Sequence, residues 1–143
     1  MNKTKFLLIV CAALTAMSAH ARDTEYKLPI DAVLNGPDQD KFAGVKFFFG
    51  KQKAPAVGQQ LGEFVTNKKT GALGRTDEDA CKRVMASALI QFAEKAKSLG
   101  GDAVVNLRSY YKKDEFSSET EYECHAGATV AGVALKGDVV KLK

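Results

Sequence analysis

Side chains that carry chemistry are scarce in this chain. It holds two histidines and three cysteines. No C-x-x-C pair is present, which removes the usual zinc-ribbon framework. No G-x-x-x-x-G-K-[ST] stretch is present, which removes the phosphate loop of nucleotide-hydrolysing folds. There is no internal repeat, low-complexity tract or inter-domain linker. Beyond residue 21 no apolar run approaches the roughly 20 residues a membrane-spanning helix needs.

What is present begins with the N-terminus. Lys3 and Lys5 precede an apolar run from Phe6 to Ala16, and Ala19-His20-Ala21 follows. Charged, apolar, then small-x-small is the order of a secretory signal peptide. Residues 1–21 are expected to be a signal cleaved after Ala21, and residues 22–143 a single α+β domain. Cys11 does not fit a lipid-attachment site, because bulky Val10 precedes it. Export places the protein in the periplasm or outside the cell. Lys3 and Lys5 leave with the signal, so the formal charge of +4 falls to +2, too little to imply a nucleic-acid partner.

The signal also removes Cys11. Cys81 and Cys124 remain, and an oxidising compartment favours their pairing. A Cys81–Cys124 disulfide is therefore predicted. It closes a loop of about 44 residues, worth on the order of 4 kcal/mol by chain entropy.

Thr76 is a good N-cap, with acids at 77, 78 and 79 behind it and Lys95 and Lys97 near the far end. Both biases suit the helix dipole. Cys81, Val84, Met85, Ala88, Leu89, Phe92, Ala96 and Leu99 repeat at helical spacing, and Gly100-Gly101 stops the run. The pattern predicts a helix over 77–99. DAVVNLRSYY (102–111) reads as a strand, with Val105, Leu107 and Ser109 on one face and Asn106, Arg108 and Tyr110 on the other. KKDEFSS (112–118) reads as a charged loop. ETEYECHA (119–126) alternates strictly: Thr120, Tyr122, Cys124 and Ala126 face one way, and Glu119, Glu121, Glu123 and His125 the other. Adjacent Cys124 and His125 therefore cannot meet on one ion without a bulge. Residues 129–142 read as a strand, a turn at Lys136-Gly137-Asp138 and a final strand at 139–142. Upstream, VKFFFG and GEFVTN read as two strands joined by KQKAPAVGQQ. Residues 22–44, with Pro29 and Pro37, are expected to form a loosely structured arm with one helical turn near 31–35. The fold class that follows is α+β: an antiparallel or mixed sheet of about five strands, one main helix (77–99) on one face, and one disulfide.

Two resemblances are carried by particular stretches. The helix, then LGGDAVVNLRSYY, then AGVALKGDVVKL, resembles a family of small bacterial domains described as putative heavy-metal binding, and the fold of the Rcs stress-sensor lipoproteins. That likeness covers about residues 77–143 and implies an α+β layer pair. Over nearly the whole length after residue 21, KFFFG, GEFVTNKKT and VVNLRSYYKKDEFSSETEYECHAGA resemble small exported proteobacterial proteins often labelled "excinuclease ATPase subunit". The label implies nucleotide hydrolysis, for which the chain has neither phosphate loop nor zinc motif.

The candidate sites are few. His125, Glu123 and Glu121 share one strand face and form a candidate divalent-metal set. At two-residue steps they stand about 7 Å apart, so a further ligand from another strand is required. No other cofactor is implied. Residues 41–75 carry seven basic groups against Glu63 alone; Lys51, Lys53, Lys68, Lys69 and Arg75 are the candidate surface for an anionic partner. Tyr110 and Tyr111, among Arg108, Lys112 and Lys113, suit either ring stacking or cross-strand packing. No nucleophile stands at a signature spacing from a base, so no enzyme is expected. The leading expectation is an exported, non-catalytic binding or structural module of the cell envelope, meeting an envelope protein or an anionic surface. A periplasmic metal-binding protein is the alternative, and a hydrolase of an envelope polymer the third.

Overall fold

A computed structural model describes residues 21–143. The expected export signal lies outside the described residues apart from Ala21, and so does Cys11.

The elements run β1 (Thr24–Pro29), α1 (Asp31–Leu34), a 3-10 turn (Gln39–Phe42), β2 (Lys46–Phe49), β3 (Val57–Gly71), α2 (Asp77–Ser98), β4 (Ala103–Tyr111), β5 (Asp114–Phe116), β6 (Glu121–Ala126) and β7 (Val130–Leu142). The seven strands form one mixed, curled sheet in the order β1-β6-β7-β4-β2, with β3 on the free side of β7 and β5 on β4. Every pairing is antiparallel except β2 with β4. The α+β class, the main helix and the disulfide stand as expected. The strand number is seven rather than about five.

α2 forms where the pattern places it. Thr76 caps it by accepting from the Asp79 backbone N–H at 3.1 Å. Cys81, Val84, Met85, Ala88, Leu89, Phe92 and Ala96 are fully buried against the sheet. Leu99 instead caps the C-terminus and is exposed. Cys81 on the helix and Cys124 on β6 are joined by a disulfide, with Cα atoms 5.9 Å apart.

Several segments differ from expectation, among them GEFVTN, whose strand begins at Val57 within the expected linker and runs to Gly71. The supposed arm contains β1, whose Thr24, Tyr26 and Leu28 alternate with more exposed Glu25, Lys27 and Pro29; the strand pairs with β6 over its full length. KKDEFSS is not a loop throughout. Lys112 and Lys113 both take positive φ, 50° and 70°, and form a two-residue hairpin turn into β5.

The expected turn at Lys136-Gly137-Asp138 does not form, and β7 runs unbroken through it. Gly137 serves close packing instead: a Cβ there would lie 2.8 Å from Leu107 Cδ1 and 2.9 Å from Val104 Cγ1. Opposite Gly137, β4 carries an extra residue, since Val105 pairs with Asp138 but Arg108 with Lys136. Asn106 absorbs this bulge at φ 50°. The bulge resets the alternation. Val104 and Leu107 are both in the core, whereas Val105 is half-buried.

β7 explains the curl. One edge of it carries β3 throughout. The other edge carries β6 at Ala131–Gly132 and β4 from Leu135 onward. β4 and β6 thus meet end to end and slide past one another. β6 turns Tyr122 and Cys124 to the helix, and the β4–β5 hairpin lies across its other face.

Candidate functional site

The covered face of β6 is where the polar chemistry gathers. The register of β1 on β6 sets Glu25 opposite His125 and Lys27 opposite Glu123. From above, the hairpin brings Ser109, Tyr111 and Phe116. Ser109 Oγ accepts the Glu123 backbone N–H at 2.9 Å. Lys27 Nζ lies 4.3 Å from the centre of the Phe116 ring. The bulge at Asn106 decides which tyrosine arrives, because after it Leu107, Ser109 and Tyr111 share the inward face.

His125 stands at the centre. Its Nδ1 is 3.0 Å from Asp23 Oδ1, and its Nε2 is 2.7 Å from Glu123 Oε1. A ring that donates from both nitrogens is the form that satisfies two ionised carboxylates. Tyr111 stacks on one face of the ring, with centroids 3.5 Å apart and planes 9° from parallel. The Tyr111 hydroxyl reaches Asp23 at 3.4 Å, and Lys112 Nζ reaches the same oxygen at 3.5 Å.

These contacts shape the titration of the acids. Burial works against ionisation of Asp23, but hydrogen bonds from His125 and Lys112 outweigh it and hold the carboxyl below its ordinary value. Glu123 behaves likewise: burial opposes, and hydrogen bonds from His125 and Lys27 prevail. Burial also opposes the charge on Lys27, yet Glu25 and Glu123 together raise its pKa.

The geometry redraws the candidate metal set. The ligand atoms that converge are those of Glu25, Glu123 and His125, within 4.8 Å of one another. Glu121 lies outside that group, exposed at the start of β6 and opposite Pro29. The reason is spacing: residues two apart on one strand stand about 7 Å apart, whereas cross-strand neighbours stand about 5 Å apart. Glu25 therefore takes the place expected for Glu121. The set fits an ion poorly, because the Lys27 ammonium already bridges Glu25 and Glu123, the latter at 3.0 Å.

Beside this clasp of Asp23 and Glu123 on His125 opens a cleft of about 520 Å³. Arg22, Lys69 and Lys112 line it against a single carboxylate, Asp23, with Asn67, Thr129, Tyr111 and His125. Arg22 is pinned. Its Nη1 and Nη2 donate to Asp77 at 2.6 and 3.0 Å, and Nη2 also donates to the Gly127 carbonyl at 2.7 Å. Tyr26 donates to Asp77 as well, at 2.7 Å. Arg22 and Tyr26 hold the Asp77 carboxyl down at about 2.

The basic residues named from sequence do not form one patch. Lys69 lines this cleft, Arg75 lines a depression beside α2 with Asp79 and Arg83, and Lys51 lines a third with Ser117 and Ser118. Lys53 is exposed and Lys68 half-buried. Tyr111 is packed on His125 and Tyr110 lies beside Lys136, so both rings are engaged within the sheet. Asp23, Glu25 and Lys27 were missed in the sequence because β1 was missed; the alternation of TEYKLP was the available signal.

The chain matches no family model, no curated protein and no solved structure. No helix among the described residues is long and apolar enough to cross a membrane.

Proposed function

We propose that this protein is an exported, non-catalytic binding module of the cell envelope, and that its contact surface is the cationic cleft beside His125. The observation that carries this reading is the complete engagement of His125. In a hydrolytic triad one ring nitrogen faces an acid and the other faces the nucleophile. Here both nitrogens face carboxylates and Tyr111 covers a ring face. The hydroxyls lining the cleft are those of Tyr111 and Thr129, and the first is bonded to Asp23. The histidine thus braces β1, β6 and the hairpin, and presents Lys112 at the mouth of the cleft to an anionic group on an envelope protein or surface. Export is supported by the N-terminal pattern and is consistent with the disulfide.

Binding to vesicles that contain anionic phospholipid, compared with neutral vesicles across a salt series, tests the reading. Attachment that weakens with salt and is reduced in Lys112→Ala is expected. Equal binding to both vesicle types, or none at low salt, counts against the cleft as an anion site.

A metal-binding role is the second reading. It rests on the convergence of Glu25, Glu123 and His125 and requires Lys27 to leave its two carboxylates. Elemental analysis of protein purified without a histidine tag separates the two. A stoichiometric metal lost in His125→Ala favours the second. The hydrolase reading needs a free nitrogen on His125 and ranks third.

A further inference from the structure

β3 is the longest strand among the described residues, and one of its edges has no partner there. Its ladder runs only to β7, and no other backbone hydrogen bond among the described residues uses Val57–Gly71. A row of unpaired N–H and C=O groups is a template for another strand. Two register shifts interrupt the first third of β3, between Val57 and Gln59 and between Gln60 and Gly62. From Glu63 to Gly71 the ladder is continuous. No proline or bulge blunts that stretch. On its face away from the helix stand Glu63, Val65, Asn67 and Lys69, all exposed; Val65 is 51 % exposed although apolar.

The charges on that face are self-complementary. We propose that two copies of this chain pair antiparallel along the free edge of β3, about a two-fold axis at Thr66. In this register Glu63 of each copy falls opposite Lys69 of the other, and Val65 falls opposite Asn67. On the helix face Lys68 falls opposite the Phe64 ring. Opposite charges directly across a ladder stabilise it, and like charges destabilise it. Moving the axis to Lys68 sets that lysine against its own copy, and moving it to Val65 sets Glu63 against Asn67. Only the Thr66 axis makes both ion pairs direct. Glu63 already accepts from Arg108 at 3.3 Å and Lys136 at 3.4 Å. It remains half exposed, and a carboxylate has about four acceptor positions in all. The two-fold is perpendicular to the sheet, so both helices lie on the same side and the two sheets join into one. The interface is isologous and closes at two copies.

Sedimentation equilibrium of the purified protein from micromolar to millimolar concentration tests this. A monomer–dimer equilibrium that tightens at low salt is expected. Lys69→Glu, which sets acid against acid twice, weakens the dimer on the order of tenfold or more; Lys69→Arg retains it. Circular dichroism verifies that both variants fold. Amide exchange over residues 63–69 slows as concentration rises in the wild type and does not in Lys69→Glu. A monomer at every concentration overturns the proposal, and so does a dimer indifferent to Lys69→Glu with no added protection in β3. An extended peptide of unrelated sequence binding β3 of a persistent monomer overturns it as well.

Discussion

Tyr111 lies flat on His125, 3.5 Å between ring centres, although the two residues come from strands that never pair with one another. The contact exists because β4 gains one residue at Asn106 and because β7 cannot hold β4 and β6 at the same place along its edge. With Asp23 and Glu123 on the two ring nitrogens, the stack closes three strands around one side chain.

Removing the ring is therefore expected to cost stability. His125→Ala removes the Tyr111 stack and one hydrogen bond from each of Asp23 and Glu123, which keep Lys112 and Lys27 as donors, and a loss of about 1 kcal/mol or more follows. His125→Phe keeps the stacking surface and loses the donors, so it also destabilises. Chemical denaturation measures both; a change within experimental scatter in either variant counts against the clasp.

Asp77 sets part of the acid limit. Its carboxyl titrates at about 2 in the folded protein against an ordinary 3.8, held down by Arg22 and Tyr26. A depressed folded value means the stabilisation is present above the unfolded pKa and is lost as pH falls from about 4 through about 2. Glu123 and Asp23, also lowered, act in the same direction. Arg22→Ala should return the Asp77 titration toward its ordinary value, as followed by carboxyl NMR, and should shift acid unfolding to higher pH.

Gly137→Ala should be strongly destabilising. The new methyl would press on Leu107 and Val104 at under 3 Å, and forcing such a group into a packed core costs about 1–3 kcal/mol or more. A thermal melt indistinguishable from the wild type would contradict close packing at Gly137.

Tyr122→Phe should be neutral or stabilising. The side chain is buried and its hydroxyl has no partner among the described residues, while burial pushes the phenol pKa up. Removing an unsatisfied buried hydroxyl recovers up to about 1–3 kcal/mol of desolvation cost. A clear loss of stability on denaturation would reveal a hydrogen bond to ordered water.

The parts of the fold legible in the sequence are those with a strong period. α2 announces itself through Thr76, the three acids and the apolar face. β6 does so through the alternation that separates Cys124 from His125. The disulfide follows from two remaining cysteines, one on each apolar face. β4 was misread only at Val105, because the bulge at Asn106 puts Val105 and Leu107 on opposite faces while leaving the composition untouched. Gly137 looked like a turn because glycine marks both turns and close approaches, and only the neighbouring Leu107 tells them apart. The clasp was half legible. His125 and Glu123 were visible on one strand, but Asp23 and Glu25 lie about a hundred residues earlier, just before and within β1, a short strand that ends at Pro29.

The central claim is that His125 is a brace rather than a metal ligand or a base. Its most direct test follows the His125 ring nitrogens by NMR while zinc is added to metal-free protein. The brace predicts ring signals unchanged at one equivalent of zinc, with Asp23 and Glu123 still in contact. Signals that shift and saturate at one equivalent would contradict it.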